Sequence, residues 1–74
     1  MINKYSKTIV MVGGGIQQVE AARIIKDNGY NLLVTDKEAR AHCREYADHF
    51  SEIDGKNVIE IASYINKEKK NFNI

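Results

Sequence analysis

The run "TIVMV", Thr8 to Val12, leads straight into Gly13, Gly14 and Gly15, and this pair of features constrains the fold more than any other. Five consecutive apolar or β-branched residues without alternation describe a strand covered on both faces, the condition met in a parallel sheet. A helical pattern starts at once behind the glycines. Ile16, Val19, Ala22 (or Arg23) and Ile25 (or Lys26) form an apolar stripe at three- and four-residue spacing. Gly29 supplies the left-handed residue that ends such a helix.

The rest of the chain repeats this alternation. "YNLLVTD", Tyr30 to Asp36, reads as a second buried strand. A helix is expected from Lys37 through "EARAHCREYAD", with Ala39, Cys43, Tyr46 and Ala47 facing inward. "HFSEID", His49 to Asp54, reads as a short third strand, and Gly55 turns the chain. "NVIEIASYINKEKK" forms the last helix, with Val58, Ile61, Ala62 and Ile65 on one face and Asn57 as its N-cap. The order β-α-β-α-β-α implies an α/β, three-layer architecture with a short parallel sheet and right-handed crossovers. That is one half of a doubly wound, Rossmann-like fold. Residues 1–74 read as a single domain, with no proline, linker, repeat or low-complexity segment.

Bulk properties narrow the partners. With 28% charged residues and a formal net charge of +1, nothing favours nucleic acid or an anionic membrane. The basic tail Asn66 to Asn71 reads as a solvated helix end. No apolar run approaches the roughly 20 residues of a membrane span, and "MINKYSK" lacks the apolar core of a signal peptide. The single Cys43 excludes an internal disulfide and suits a reducing, cytoplasmic setting. At 74 residues the chain buries a small core, and three parallel strands leave open edges that favour self-association.

The glycine loop carries the functional signal. At the carboxyl edge of a parallel sheet, glycines let the backbone turn tightly and let a ligand approach without striking a Cβ. Gly13 and Gly15 suit those two tasks. The helix start behind them offers unpaired N–H groups to a phosphate or carboxylate. Asp36 ends the second strand at the same edge, about 20 residues beyond the first glycine, where dinucleotide enzymes place the acid that takes the ribose hydroxyls. Gln18, however, replaces the third glycine of that fingerprint, and a long amide there can point into the crevice. An NAD(P)- or nucleotide-binding module and a glycine turn without ligand both remain open on these residues. Asp54, beside Gly55, either lines the same crevice or makes a turn. Glu20 either reaches the loop or serves the helix dipole. His42, Cys43 and His49 lie at spacings that do not converge on a metal, and Cys43 has no activating base; it reads as a small core residue.

The stretch "VMVGGGIQQVEAARIIKDNGYNLLVTDK" followed by "REYADHFSEID" resembles the N-terminal domain of ATP-grasp ligases, the group of carbamoyl-phosphate synthase and the purine-pathway carboxylases. The shared points are a glycine loop followed by Gln, a strand ending in Asp, and "YAD" leading into a short strand that ends in a second Asp. The likeness covers Lys7 to Ile65 and is greatest to the branch serving pyrrolysine biosynthesis, where glycines, an aliphatic residue and Gln likewise precede "EAA". The resemblance implies an enzyme that activates a carboxylate with ATP and Mg and passes it to an amine. The ATP clamp and the metal ligands would lie in later domains, so the 74 residues alone are not catalytic and supply no catalytic residue. It further implies that Gly13, Gly14, Gly15, Ile16 and Gln17 form the loop facing an amino-acid or nucleotide substrate. Asp36 and Asp54 would line the same crevice. The pyrrolysine branch carries a lysine in its glycine loop where this chain has Gly15; a lysine neutralises phosphate charge, and Gly15 cannot.

Overall fold

A computed structural model describes residues 2–74. Three strands, β1 (Thr8–Val12), β2 (Asn31–Asp36) and β3 (His49–Glu52), form one sheet in the order β1-β2-β3. Both pairings are parallel, with Met11 beside Val34 and Val34 beside Phe50. Helix α1 (Val19–Asp27) connects β1 to β2, and α2 (Val58–Glu68) follows β3. The architecture is therefore α/β with a short parallel sheet, as the alternation of elements implies.

β2 is the central strand, and its continuous apolar run has the reason anticipated: Leu32, Leu33 and Val34 are all fully buried. Covering each such side chain contributes roughly 1.5–3 kcal/mol. Successive residues point to opposite faces. Leu32 and Val34 join Met11, Ala22 and Cys43 in one core cluster, against which Val19, Ile25, Tyr46 and Phe50 pack. Leu33 and Thr35 point to the other face. There the His49 ring, in register with Leu33, stacks on Tyr64 of α2 at 6.1 Å between centroids.

Three boundaries differ from expectation. The helix expected from Lys37 to Asp48 does not form; a single 3₁₀ stretch, His42–Tyr46, takes its place. Its alanine- and glutamate-rich sequence has helical propensity, but propensity is a weak prior against tertiary bonding. The Cys43 N–H donates instead to the Gly14 carbonyl at 2.9 Å, and Ala41 is held extended (φ −57°, ψ 140°). Cys43 is nevertheless fully buried, and Tyr46 and Ala47 pack on the core as expected. The first helix begins as a 3₁₀ turn, Ile16–Gln18, before α1 proper. β3 stops at Glu52, two residues before Asp54.

The caps behave as read. Gly29 adopts φ +83° behind α1, and the Asn57 side chain accepts a hydrogen bond from the Glu60 N–H at 3.1 Å. The apolar face of α2 is narrower than its spacing suggests. Ile61 is buried, whereas Val58 is 71% exposed.

At the amino end of the sheet, polar side chains close the structure. Buried Asn31 accepts from the Asn3 N–H at 2.8 Å and donates to the Asn3 carbonyl at 2.7 Å. Asp48, whose side chain is 4% exposed, accepts from the Leu32 N–H at 2.8 Å and pairs with Lys26 of α1. Burial alone would raise its pKa, but the Lys26 ammonium and the Leu32 amide outweigh it and hold the carboxyl below its ordinary value. Among the described residues, no helix is long and apolar enough to cross a membrane.

Candidate functional site

β1 ends at the carboxyl edge of a parallel sheet, so the glycine loop stands where open α/β sheets present ligands. The three glycines do different work there. Gly13 turns the chain with φ +86°, in the left-handed region that only glycine enters without strain, while its N–H bonds the Thr35 carbonyl at 2.7 Å. Gly14 is buried. A Cβ on it would lie 2.6 Å from Val34 Cγ1 and 3.0 Å from the Cys43 Cβ, so only glycine lets the loop seat against β2. Gly15 is unlike both. Its backbone is extended (φ −72°), and a Cβ would meet nothing within 4 Å.

The tight turn falls on Gly13 and the close packing on Gly14, while Gly15, which the sequence assigned to ligand approach, faces open space.

Asp36 explains how the loop is held. One carboxylate oxygen accepts from the Gly14 N–H at 2.8 Å, and the other accepts from the Glu38 N–H at 2.9 Å. The Gly14 carbonyl receives the Cys43 N–H, and the Cys43 Sγ lies 3.5 Å from the Gly15 carbonyl. Burial, reinforced by the Asp36 carboxylate, raises the Cys43 thiol pKa, which keeps it protonated and unreactive. The inner side of the loop is thus saturated with partners.

The outer side is open. A depression of about 400 Å³ is lined by Val12, Gly13, Gly15, Ile16, Gln17 and Gln18. The N–H groups of Gly15, Ile16 and Gln17 have no hydrogen-bond partner among the described residues, because they form the first turn of the helical segment. Ile16 is 68% exposed at this rim. The site combines free backbone donors, an exposed aliphatic side chain and two long amides. Free backbone donors of this kind are chemically suited to the carboxylate or carbonyl of a small ligand, without a fixed countercharge.

Of the residues singled out by sequence, Gly13, Gly15, Ile16 and Gln17 line this depression together. Gly14 lies behind it and Asp36 supports it from within. Asp54, at the same edge, is not among the lining residues: its carboxylate accepts from the Lys56 N–H at 3.0 Å and its carbonyl from the Asn57 N–H at 2.9 Å, the bonding of a turn leading into α2. Glu20 pairs with Arg23 and points away from the loop's task. Val12 and Gln18 join the lining. The exposed end of a buried strand gave no signal for Val12, whereas the missing third glycine did mark Gln18. No group of three or more His, Cys, Asp or Glu side chains that could hold a metal occurs among the described residues.

No family model matches the chain. Three archaeal proteins do. It is 48% identical over 44 residues to the 3-methyl-D-ornithine–L-lysine ligase of Methanosarcina mazei, a match covering 60% of this chain and 12% of that protein. The proteins of the same name from Methanosarcina barkeri and Methanosarcina acetivorans are 46% and 43% identical over 44 residues. The relationship is to a ligase. The match spans only 12% of the length of these curated relatives, so it concerns a small part of each.

Proposed function

We propose that this chain is the substrate-side N-terminal domain of an ATP-dependent carboxylate–amine ligase of the ATP-grasp group, serving pyrrolysine biosynthesis in the cytoplasm. The observation that carries this reading is the 43–48% identity to three 3-methyl-D-ornithine–L-lysine ligases. In this role the loop from Gly13 to Gln17 forms one wall of the substrate crevice. Its free amides hold an amino-acid carboxylate, and Asp36 keeps the loop in place from behind. The substrates named for the relatives, 3-methyl-D-ornithine and L-lysine, are the amino acids we propose for it.

ATP and Mg would supply the activation of the carboxylate. In this reading the residues that hold ATP and Mg belong to other domains of the ligase, and this chain's part is binding and orientation. The alternative of a dinucleotide module is disfavoured by the same geometry. Both Asp36 oxygens already accept backbone N–H groups, which competes with a ribose for them.

The test is a chimera in which this chain replaces the matched segment of the Methanosarcina mazei ligase. Retained joining of 3-methyl-D-ornithine to L-lysine, together with no micromolar NAD(P) binding to the isolated chain by calorimetry, is the expected result. A folded but inactive chimera, or micromolar affinity for NAD(P), would reject the reading.

A further inference from the structure

One hydrogen bond outside the three-stranded sheet obeys the sheet's own rule. In a parallel ladder the N–H and C=O of one residue face the same neighbouring strand, and successive residues alternate sides. The β1–β2 ladder opens with the Asn31 N–H donating to the Lys7 carbonyl at 2.9 Å, which sets Asn31 beside Thr8, the residue after the acceptor. On the far side of β1, the Thr8 N–H donates to the Asn73 carbonyl at 2.7 Å. The relation is the same, so Ile74, the residue after this acceptor, takes the place beside Thr8. The Ile74 N–H turns back to the Phe72 carbonyl at 2.7 Å, a three-residue turn of the kind found where strands begin or end.

Helix α2 sets the direction. Gly55, just ahead of it, lies near Val12 at the carboxyl edge of the sheet, and Phe72, just behind it, lies 5.5 Å from the His49 ring at the amino edge. The helix thus runs down across the sheet, and a strand leaving from Ile74 runs up, parallel to β1. Handedness agrees. A crossover that steps back from β3 to beyond β1 is right-handed only with its helix on the face opposite α1. That is where α2 lies, since Tyr64 stacks on His49 on the Leu33 face whereas Ala22 of α1 packs with Leu32 and Val34.

On the reading above of this chain as the first domain of a longer ligase, we infer that the residues after Ile74 form a fourth parallel strand along the outer edge of β1. Its register is fixed: Ile74 stands beside Thr8, the second residue after Ile74 beside Val10, and the fourth beside Val12. The Thr8 carbonyl and both backbone groups of Val10 and Val12, which alternation turns away from β2, then find their partners. The edge is open to such a neighbour, because Thr8 to Val12 carries no charge, proline or bulge. Val12 is 48% exposed, and the added strand covers it. A fourth strand beside the first is also the order of doubly wound sheets. Its sequence is expected to be a short, near-continuous apolar run like β1 and β2. Because the strand ends level with Val12, the turn behind it emerges beside Val12 and Gly13, which line the depression. The open side of the glycine loop thereby gains a second wall.

The test compares the 74 residues alone with the chain lengthened through this strand, by amide exchange and backbone NOEs. Exchange at Val10 and Val12 is expected to slow at least about tenfold in the lengthened chain, with backbone contacts from Val10 to the second residue past Ile74. If the lengthened chain does not stay folded, exchange of the same two amides in the complete polypeptide replaces it. Three outcomes overturn the strand: equal exchange at Val10 and Val12, contacts in reversed order or shifted by a residue, or a polypeptide with nothing after Ile74. The chimera described above keeps the two ideas apart. Slowed exchange beside a folded, inactive chimera rejects the ligase reading and retains the strand, whereas an active chimera with freely exchanging Val10 and Val12 rejects the strand alone.

Discussion

The two ends of the sheet solve the same problem in opposite ways. Each must satisfy backbone groups where strands stop, and each uses an aspartate that accepts an N–H from a neighbouring segment. At the amino end, Asp48 takes the Leu32 N–H and Lys26, Asn31 ties down the segment before β1, and the Asp48 and Asn31 side chains are buried. At the carboxyl end, Asp36 takes the Gly14 N–H, but the next three amides are left without partners and Ile16 stands exposed. Saturated polar groups build structure, whereas leftover donors on an accessible rim are available to a ligand. The comparison teaches that an aspartate ending a strand beside a glycine loop can belong to the scaffold, with the ligand-facing groups one turn further on.

The largest effect expected from breaking this contrast is at Gly14. Gly14→Ala drives a methyl group into Val34 and Cys43, and the cost is about 3 kcal/mol, at the top of the usual overpacking range. Denaturant unfolding measures it, and a loss of a few tenths would mean that the loop is not seated as described.

At the amino end, Asp48→Ala leaves the Leu32 amide without its acceptor and Lys26 with the Tyr30 carbonyl alone, and costs about 2 kcal/mol. The same pair sets an acid limit. Because the folded-state pKa of Asp48 is depressed, its contribution is present above the ordinary carboxylate value of about 4. It is lost as the pH falls through the lower folded value. Asp48→Asn is expected to flatten that part of the stability–pH curve; an unchanged curve would remove Asp48 from the account.

Asp36→Ala comes next, at about 1.5 kcal/mol, since it orphans the buried Gly14 N–H while Glu38, on the surface, regains water. The smallest effect has the opposite sign. Gly15→Ala fills open space at an ordinary φ, so it should stabilise the fold by about 0.5 kcal/mol through the unfolded chain while narrowing the depression. A destabilised Gly15→Ala protein would show that Gly15 belongs to the scaffold after all.

Much of this was legible in the sequence. The unbroken run Leu32 to Val34 announced a strand buried on both faces, and Gly29 and Asn57 marked helix ends correctly because capping depends on local backbone geometry. The residues from Lys37 to Asp48 misled because their helical composition says nothing of the bond from Cys43 to Gly14, a contact between residues far apart in the chain. For the same reason the glycines could be recognised as a loop but not sorted. Which of them faces inward depends on Val34 and Cys43, and neither spacing nor fingerprint encodes that. Asp54 shows the limit from the other side: an acid beside a glycine fits a crevice and a turn equally well until its partners, the Lys56 and Asn57 amides, are seen.

The central claim is that the outer amides of the glycine loop meet a small amino-acid ligand while its inner side is structural. Amide-resolved titration of the chain with 3-methyl-D-ornithine and with L-lysine addresses it most directly. The account predicts chemical-shift changes confined to Gly13 through Gln18, abolished in a Gly15→Asp variant that folds as well as the parent, because its carboxylate repels that of the ligand. Changes centred on α2 or on the amino end, or none with either amino acid at millimolar concentration, would contradict it.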